Sequence, residues 1–177
     1  FIVAVCLLII PLILFTRKIQ KPNVSQVVYF LGVGAGFMFV ELYFIKSFIL
    51  LVGDPIISFT MVVSVILIFT SMGGLWVQNK SGQNIRPAMA ALIGMLILTV
   101  VSFELLAAHI LKVSAALRYL IAILFLLPVG FLMGLPFPLG MRHILNSPVQ
   151  RAYAWSVNGC ASVLSSVIAA QVAVSFG

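Results

Sequence analysis

Long apolar runs separated by short basic stretches constrain the fold of this chain more than any other feature. Hydrophobic residues make up 63% of the sequence and charged residues 7%, whereas soluble domains carry about 25% charged residues. So few charges cannot cover a water-facing surface, and such high hydrophobicity excludes intrinsic disorder. The runs are continuous and do not alternate residue by residue, which favours helices over a membrane β-barrel. The sequence therefore predicts an all-α, polytopic transmembrane helical bundle.

About six spans are expected, since a helix needs about 20 residues to cross a bilayer. The predicted spans are residues 1–15, 27–49, 56–77, 88–110, 119–133 and 152–177. The first is shorter than a full crossing, and the last is still apolar at the final residue. We therefore expect both to be truncated parts of longer helices, within one transmembrane domain covering residues 1–177.

The net charge of +7 raises the question of a nucleic-acid partner, but the positions of the charges argue against one. Basic residues such as Arg17, Lys18 and Lys21 lie between the apolar runs. That is typical of helix ends that meet lipid headgroups. The expected partner is therefore the lipid bilayer, with no nucleic acid, and the expected localisation is an integral membrane protein.

Two acidic residues, Glu41 and Glu104, lie inside predicted spans. A charge at membrane depth costs at least about 2.5 kcal/mol, so such residues usually face the bundle interior and have a partner. Lys46 is badly placed to pair with Glu41, because five residues correspond to about 140° around a helix. Each acid therefore serves either a proton, cation or polar-substrate site or a structural hydrogen bond between helices. The candidate intramembrane polar residues are Glu41, Lys46, Asp54, Glu104 and Asn158.

Small residues predict where helices pack. The segment Gly32-Val-Gly-Ala-Gly36 resembles a dinucleotide-binding loop only superficially, because the motif requires glycine where Phe37 stands. Small residues in a membrane helix allow close backbone approach instead. The candidate packing residues are Gly32, Gly34, Gly36, Gly159, Ser162 and Ser166.

Pro136 and Pro138 predict a helix break within 134–140. The break either lines protein or a watery cavity at membrane depth, or ends the fifth span at the interface.

The sequence contains no motif for a hydrolase, a zinc protease or a phosphate-binding loop, so we predict no catalytic residue and no cofactor. Cys6 and Cys160 lie in apolar runs without metal-ligand spacing, which predicts no metal site.

Three stretches together resemble a known family. They are residues 29–63, with G-F-M-x-V-E ending at Glu41, residues 127–142, with G-x-P-F-P-x-G, and residues 154–177, with W-x-x-N-G around Asn158. In this order they are similar to the carboxyl-terminal membrane region of bacterial spermidine synthase-like membrane proteins, which are polyamine aminopropyltransferase-like. The resemblance implies a soluble Rossmann-type domain upstream that carries the aminopropyl transfer, and a place in the bacterial inner membrane. Sites for decarboxylated S-adenosylmethionine and polyamine would belong to that domain.

Three functions remain open from the sequence. The first is a non-catalytic anchoring and scaffolding domain of a spermidine synthase-like membrane protein. The second is a transporter or channel-like module for a polyamine or cation, using Glu41 and Glu104. The third is a structural subunit of a larger membrane complex with other membrane subunits, packed through its small residues.

Overall fold

The computed structural model describes residues 23–79, 82 and 84–176, with side chains up to residue 171. Every regular element in this part of the chain is an α-helix, and no strand occurs in it. The helices are α1 (Val24–Val52), α2 (Pro55–Asn79), α3 (Ile85–Ile110), α4 (Ala115–Met133), α5 (Pro136–His143) and α6 (Pro148–Phe176). In a helix the backbone N–H and C=O groups bond to each other, and lipid offers these groups no other hydrogen-bond partner.

Four helical stretches of the described chain are long and apolar enough to cross a membrane: α1, α2, α3 and Ala115–His143, which joins α4 and α5. The prediction of about six spans is therefore not supported. The predicted span 1–15 lies outside the described residues. The predicted span 152–177 corresponds to α6, which is helical but is not among the four.

The described residues belong to two compact units, whose boundaries fall inside α1 and α5. The first unit contains residues up to Val40 and from Gly140 onwards, and the second contains Glu41–Leu139. Each unit has its own packing.

In the second unit, α2 and α4 approach closely through glycines. A Cβ atom on Gly73 would collide with the Phe131 carbonyl, and one on Gly134 would collide with the Thr70 carbonyl. The Thr70 hydroxyl donates a hydrogen bond to the Gly130 carbonyl at 3.1 Å. Gly130 and Gly134 form a G-x-x-x-G pair, the spacing that lets membrane helices bring their backbones together.

Aromatic rings connect α1, α3 and α4 of the same unit. The Phe48 ring lies 5.6 Å from that of Phe44 and 5.5 Å from that of Phe103, centroid to centroid. Phe103 in turn meets Phe125 edge-on at 6.4 Å. Such offset and edge-on contacts add to the apolar packing of the three helices.

The proline segment forms a short helix in the stretch 134–140, where the sequence predicted a helix break. Only Gly134 and Leu135 separate α4 from α5, and Pro136 is the first residue of α5. Proline is tolerated in a first helical turn, because the N–H groups there have no intrahelical acceptor. Pro138 lies in the same turn. The interruption is therefore two residues long and ends α4 without unwinding the whole segment.

In the first unit, α6 buries one stripe of side chains. Its members are Ala154, Val157, Ala161 and Ser165, three or four positions apart, which places them on a single helix face. Gly140 lies against the Tyr29 ring, with which a Cβ atom would collide. The Gln26 side-chain amide donates to the Ile144 carbonyl at 2.8 Å. This bond holds the start of α1 to the chain just after α5.

Candidate intramembrane polar site

Glu41 is the buried acid of the described chain. Its side chain is 9% exposed, and within residues 23–79, 82 and 84–176 no hydrogen bond or ion pair reaches its carboxylate. Lys46, on the same helix, is exposed. The sequence predicted that Glu41 either has a partner on another helix or is protonated, and no such partner is found among the described residues.

Glu104 has the opposite surroundings. Its side chain is exposed on α3, and so are the large apolar side chains Val101 and Leu105 beside it. The expectation that both acids face the bundle interior is wrong for Glu104. Because one carboxylate is buried and the other is exposed, Glu41 and Glu104 do not line one internal path.

Asp54 forms a helix cap. Its Oδ1 accepts hydrogen bonds from the backbone N–H groups of Ile56 at 2.8 Å and Ile57 at 3.0 Å. These are first-turn donors of α2, which have no intrahelical acceptor. Gly53, with φ +81°, reverses the chain just before the cap, in a conformation that glycine adopts without strain. Asp54 therefore holds the start of α2, a structural role.

A polar contact of the first unit brings together Gly34, Asn158 and Ser162. A Cβ atom on Gly34 would collide with the Asn158 carbonyl. The Ser162 hydroxyl lies 2.9 Å from the Asn158 carbonyl and 3.2 Å from the Gly34 carbonyl, so it can donate to either. The side-chain oxygen of Asn158 is buried and accepts no hydrogen bond from any residue that the structure describes. This contact joins α1 to α6 through backbone and small polar groups.

The other predicted glycines lie at no close contact with the described residues. A Cβ atom on Gly32, Gly36 or Gly159 would meet no described atom within 4 Å. The Ser166 hydroxyl donates within its own helix, to the Val163 carbonyl at 2.8 Å. The stripe that α6 buries is turned away from Gly159 and has Ser162 at its edge. Of the candidate packing residues on α6, Ser162 therefore lies at the contact with α1, whereas Gly159 is on the opposite side of the helix from the buried stripe.

Arg118 is a residue that the sequence analysis did not single out. Its Nη1 donates to the Leu51 carbonyl at 3.3 Å and its Nε to the Val113 carbonyl at 3.2 Å. Leu51 is in the last turn of α1, where carbonyls lack an intrahelical donor and a cation is favourable. Arg118 lies in the first turn of α4, far from Leu51 in the sequence, and no sequence pattern indicated this long-range bond.

The chemistry available to the described residues is mainly hydrogen bonding between helices. Within them, no group of three or more His, Cys, Asp or Glu side chains is placed to hold a metal ion. Cys160 is half-buried on α6. A buried carboxyl at Glu41 can bind a proton or a cation, and it is the one described residue of the predicted set that combines burial with ionisable chemistry.

Comparison with protein-family models, curated proteins and solved structures finds no match to this chain.

Proposed function

We propose that this chain is a non-catalytic integral-membrane anchoring and scaffolding domain. The observation that carries the proposal is the outward exposure of large apolar side chains along helices long enough to cross a bilayer. On α3, for example, Ile97 is 60% exposed and Leu105 is 72% exposed. Contiguous apolar surface of this extent requires lipid or another membrane protein to cover it.

The internal packing also supports a rigid anchor. Glycine contacts at Gly34 and Gly73, and the Thr70–Gly130 hydrogen bond, hold backbones close together. Membrane helices associate through such packing because lipid tails are as apolar as the side chains, so the hydrophobic effect does not bring the helices together.

The finer proposal rests on the resemblance of residues 29–63, 127–142 and 154–177 to spermidine synthase-like membrane proteins. On that basis the chain holds a soluble Rossmann-type domain at the bacterial inner membrane, with α6 and residues 1–15 contributing two more spans to a total of about six. Polyamine chemistry would then belong to the soluble domain. The complete reading frame tests this, because a full-length gene without a G-x-G-G-containing domain would remove the enzymatic link.

Anchoring is tested by fusing the chain to a soluble fluorescent protein and washing membranes with alkaline carbonate. We expect the fusion to stay in the membrane pellet. A double variant, Ile97→Arg with Val101→Arg, is expected to reduce insertion, since each arginine costs about 2.5–3.5 kcal/mol at a helix centre. Release of the unmodified fusion into the supernatant would contradict the proposal, and so would aminopropyl transfer by the chain alone.

A second candidate function is transport of a polyamine or cation, and the burial of Glu41 favours it. An ionisable residue inside a membrane protein often marks an ion pathway. Glu104 supplies a matched control, because its carboxylate is exposed on α3.

The transport test compares Glu41→Gln with Glu104→Gln in liposomes loaded with labelled spermidine or with potassium. Transport through Glu41 predicts that only Glu41→Gln abolishes flux. Equal flux in both variants and in the unmodified protein, no greater than in empty liposomes, would eliminate this candidate.

A further inference from the structure

A groove between α3 and α4 combines an apolar lining with a buried hydroxyl and a carbonyl that lacks its usual helical donor. It has a volume of about 370 Å³ and opens to the outside of the second unit. Its lining includes Met95, Thr99, Ser102, Leu124, Phe125 and Pro128. This volume lies within the range of small-molecule sites, which are apolar clefts with a few polar groups.

The Thr99 hydroxyl is the first polar group of the groove. Thr99 is 2% exposed, and its hydroxyl has no hydrogen-bond partner in the described part of the chain. Other hydroxyls on these helices donate to the carbonyl four residues back, as Thr60 does to Ile56 at 2.9 Å and Ser71 to Leu67 at 2.7 Å. A buried hydroxyl left unpaired costs about 1–3 kcal/mol, so a partner from outside the chain would be favourable.

The second polar group is a backbone carbonyl. Pro128 lies inside α4 and has no N–H, so the Leu124 carbonyl lacks its normal helical donor. Leu124 and Pro128 both line the groove. The site thus offers a hydroxyl that donates or accepts and a carbonyl that only accepts.

We propose that this groove binds a small membrane-soluble phenol, a neutral molecule with one hydroxyl on an aromatic ring. A ligand hydroxyl can accept from Thr99 and donate to the Leu124 carbonyl, whereas a ketone, ester or ether can only accept. Phe125 and Met95 line the groove, and aromatic rings and methionine side chains both pack favourably against an aromatic body. This ligand site goes beyond the anchoring function and does not depend on it.

The depth of the groove in the membrane argues against a phospholipid as its ligand. Thr99 is near the middle of α3, a helix of 26 residues, and so lies near the centre of the hydrocarbon layer. Phospholipid headgroups remain at the interface, and acyl chains offer no hydrogen-bonding group at that depth. A phospholipid would therefore leave the Thr99 hydroxyl unsatisfied.

The test measures binding of radiolabelled 4-hexylphenol to nanodiscs with and without the protein, with hexylbenzene as a competitor that lacks the hydroxyl. We expect saturable binding above that of empty nanodiscs, and weaker competition by hexylbenzene. Thr99→Val removes the hydroxyl at similar volume, and Pro128→Ala restores the donor to Leu124. Each is expected to weaken binding about threefold to fifteenfold, the range for one hydrogen bond in a membrane protein.

Thr60→Val is the matched control, because its hydroxyl is bonded within α2 and is absent from the groove lining. It is expected to bind as the unmodified protein does. Helical circular dichroism verifies the fold of every variant, and Pro128→Ala, which favours helix, keeps the test decisive if Thr99→Val misfolds. Absence of saturable binding, equal affinity for hexylbenzene, or unchanged binding by a folded Thr99→Val or Pro128→Ala variant would overturn the proposal.

Discussion

At the scale of single residues, acidic side chains of one apolar chain have three different surroundings. Glu41 is buried, Glu104 is exposed on α3, and Asp54 accepts two backbone hydrogen bonds at the start of α2. The sequence places all three acids near or within spans, but it does not show whether each side chain faces the interior of the protein or the outside. Their energetic roles should therefore differ.

Asp54→Ala is expected to lower the free energy of unfolding by about 1 kcal/mol, because the first-turn N–H groups of α2 lose their acceptor. Asp54→Asn keeps a side-chain oxygen and should lose less. Unfolding in mixed micelles with increasing dodecyl sulfate measures both variants. An equal loss in the two would indicate that the negative charge, and not the hydrogen bonds, stabilises the helix.

Glu41→Gln is expected to leave the free energy of unfolding unchanged or to raise it. The neutral amide avoids the cost of burying a carboxylate that has no hydrogen-bond or ion-pair partner among the described residues. Glu104→Gln, on an exposed face, is expected to change it by less than about 0.5 kcal/mol. The same micelle titration checks both. A loss above about 1 kcal/mol in Glu41→Gln would mean that the carboxylate has a stabilising partner.

At the scale of helices, the face of the helix on which a small residue lies decides whether it contacts a neighbouring helix. Gly34 lies against the Asn158 carbonyl, while a Cβ atom on Gly32 or Gly36 of the same helix would meet no described atom within 4 Å. The sequence predicted all three as packing residues, because composition reveals small residues but does not fix which face meets a neighbour. The pair Gly130 and Gly134 carried a usable G-x-x-x-G signal that the sequence analysis did not apply.

Gly34→Ala is expected to lower the free energy of unfolding by about 1–3 kcal/mol, the usual cost of forcing a methyl group into a filled contact. Gly32→Ala and Gly36→Ala are matched controls on the same helix. Both should be neutral or slightly stabilising, since alanine is the better helix former. Thermal unfolding followed by size-exclusion chromatography ranks the three, and equal midpoints would contradict the observed contact.

Gly134→Ala is expected to separate α2 from α4, because the added methyl group would collide with the Thr70 carbonyl. The expected loss is again about 1–3 kcal/mol. Gly94→Ala on α3 is the control, since a Cβ there meets no described atom within 4 Å. The rate of aggregation in detergent at raised temperature reports the difference. Identical rates would show that the two helices can move apart at little cost.

At the scale of the whole molecule, apolar side chains cover much of the described surface. Of the four candidate spans, α3 is the least covered, with 11% of its most apolar stretch buried. Lipid is the solvent that such surface requires. Trp76, near the end of α2, is 39% exposed and is suited to the membrane interface.

Brominated lipids give a direct test of this placement. In a Trp155→Phe variant, Trp76 is the remaining tryptophan. We expect its fluorescence to be quenched strongly by lipids brominated near the headgroup and weakly by lipids brominated near the chain end. The reverse order would place the end of α2 in the centre of the bilayer.

The continuous apolar runs were enough to predict an all-helical chain with helices long and apolar enough to cross a membrane, because a helix satisfies its backbone hydrogen bonds without water. They also located α1–α4 closely, with the predicted ranges 27–49, 56–77, 88–110 and 119–133 all lying inside them. The contacts of individual small residues, the burial of Glu41 and the hydrogen bond from Arg118 to the end of α1 became visible only in the packed helices. Those features depend on the rotation of each helix about its axis and on neighbours that are distant in the sequence. Because hydrophobicity is nearly uniform around these helices, the sequence pattern does not predict which face of a helix contacts which neighbour.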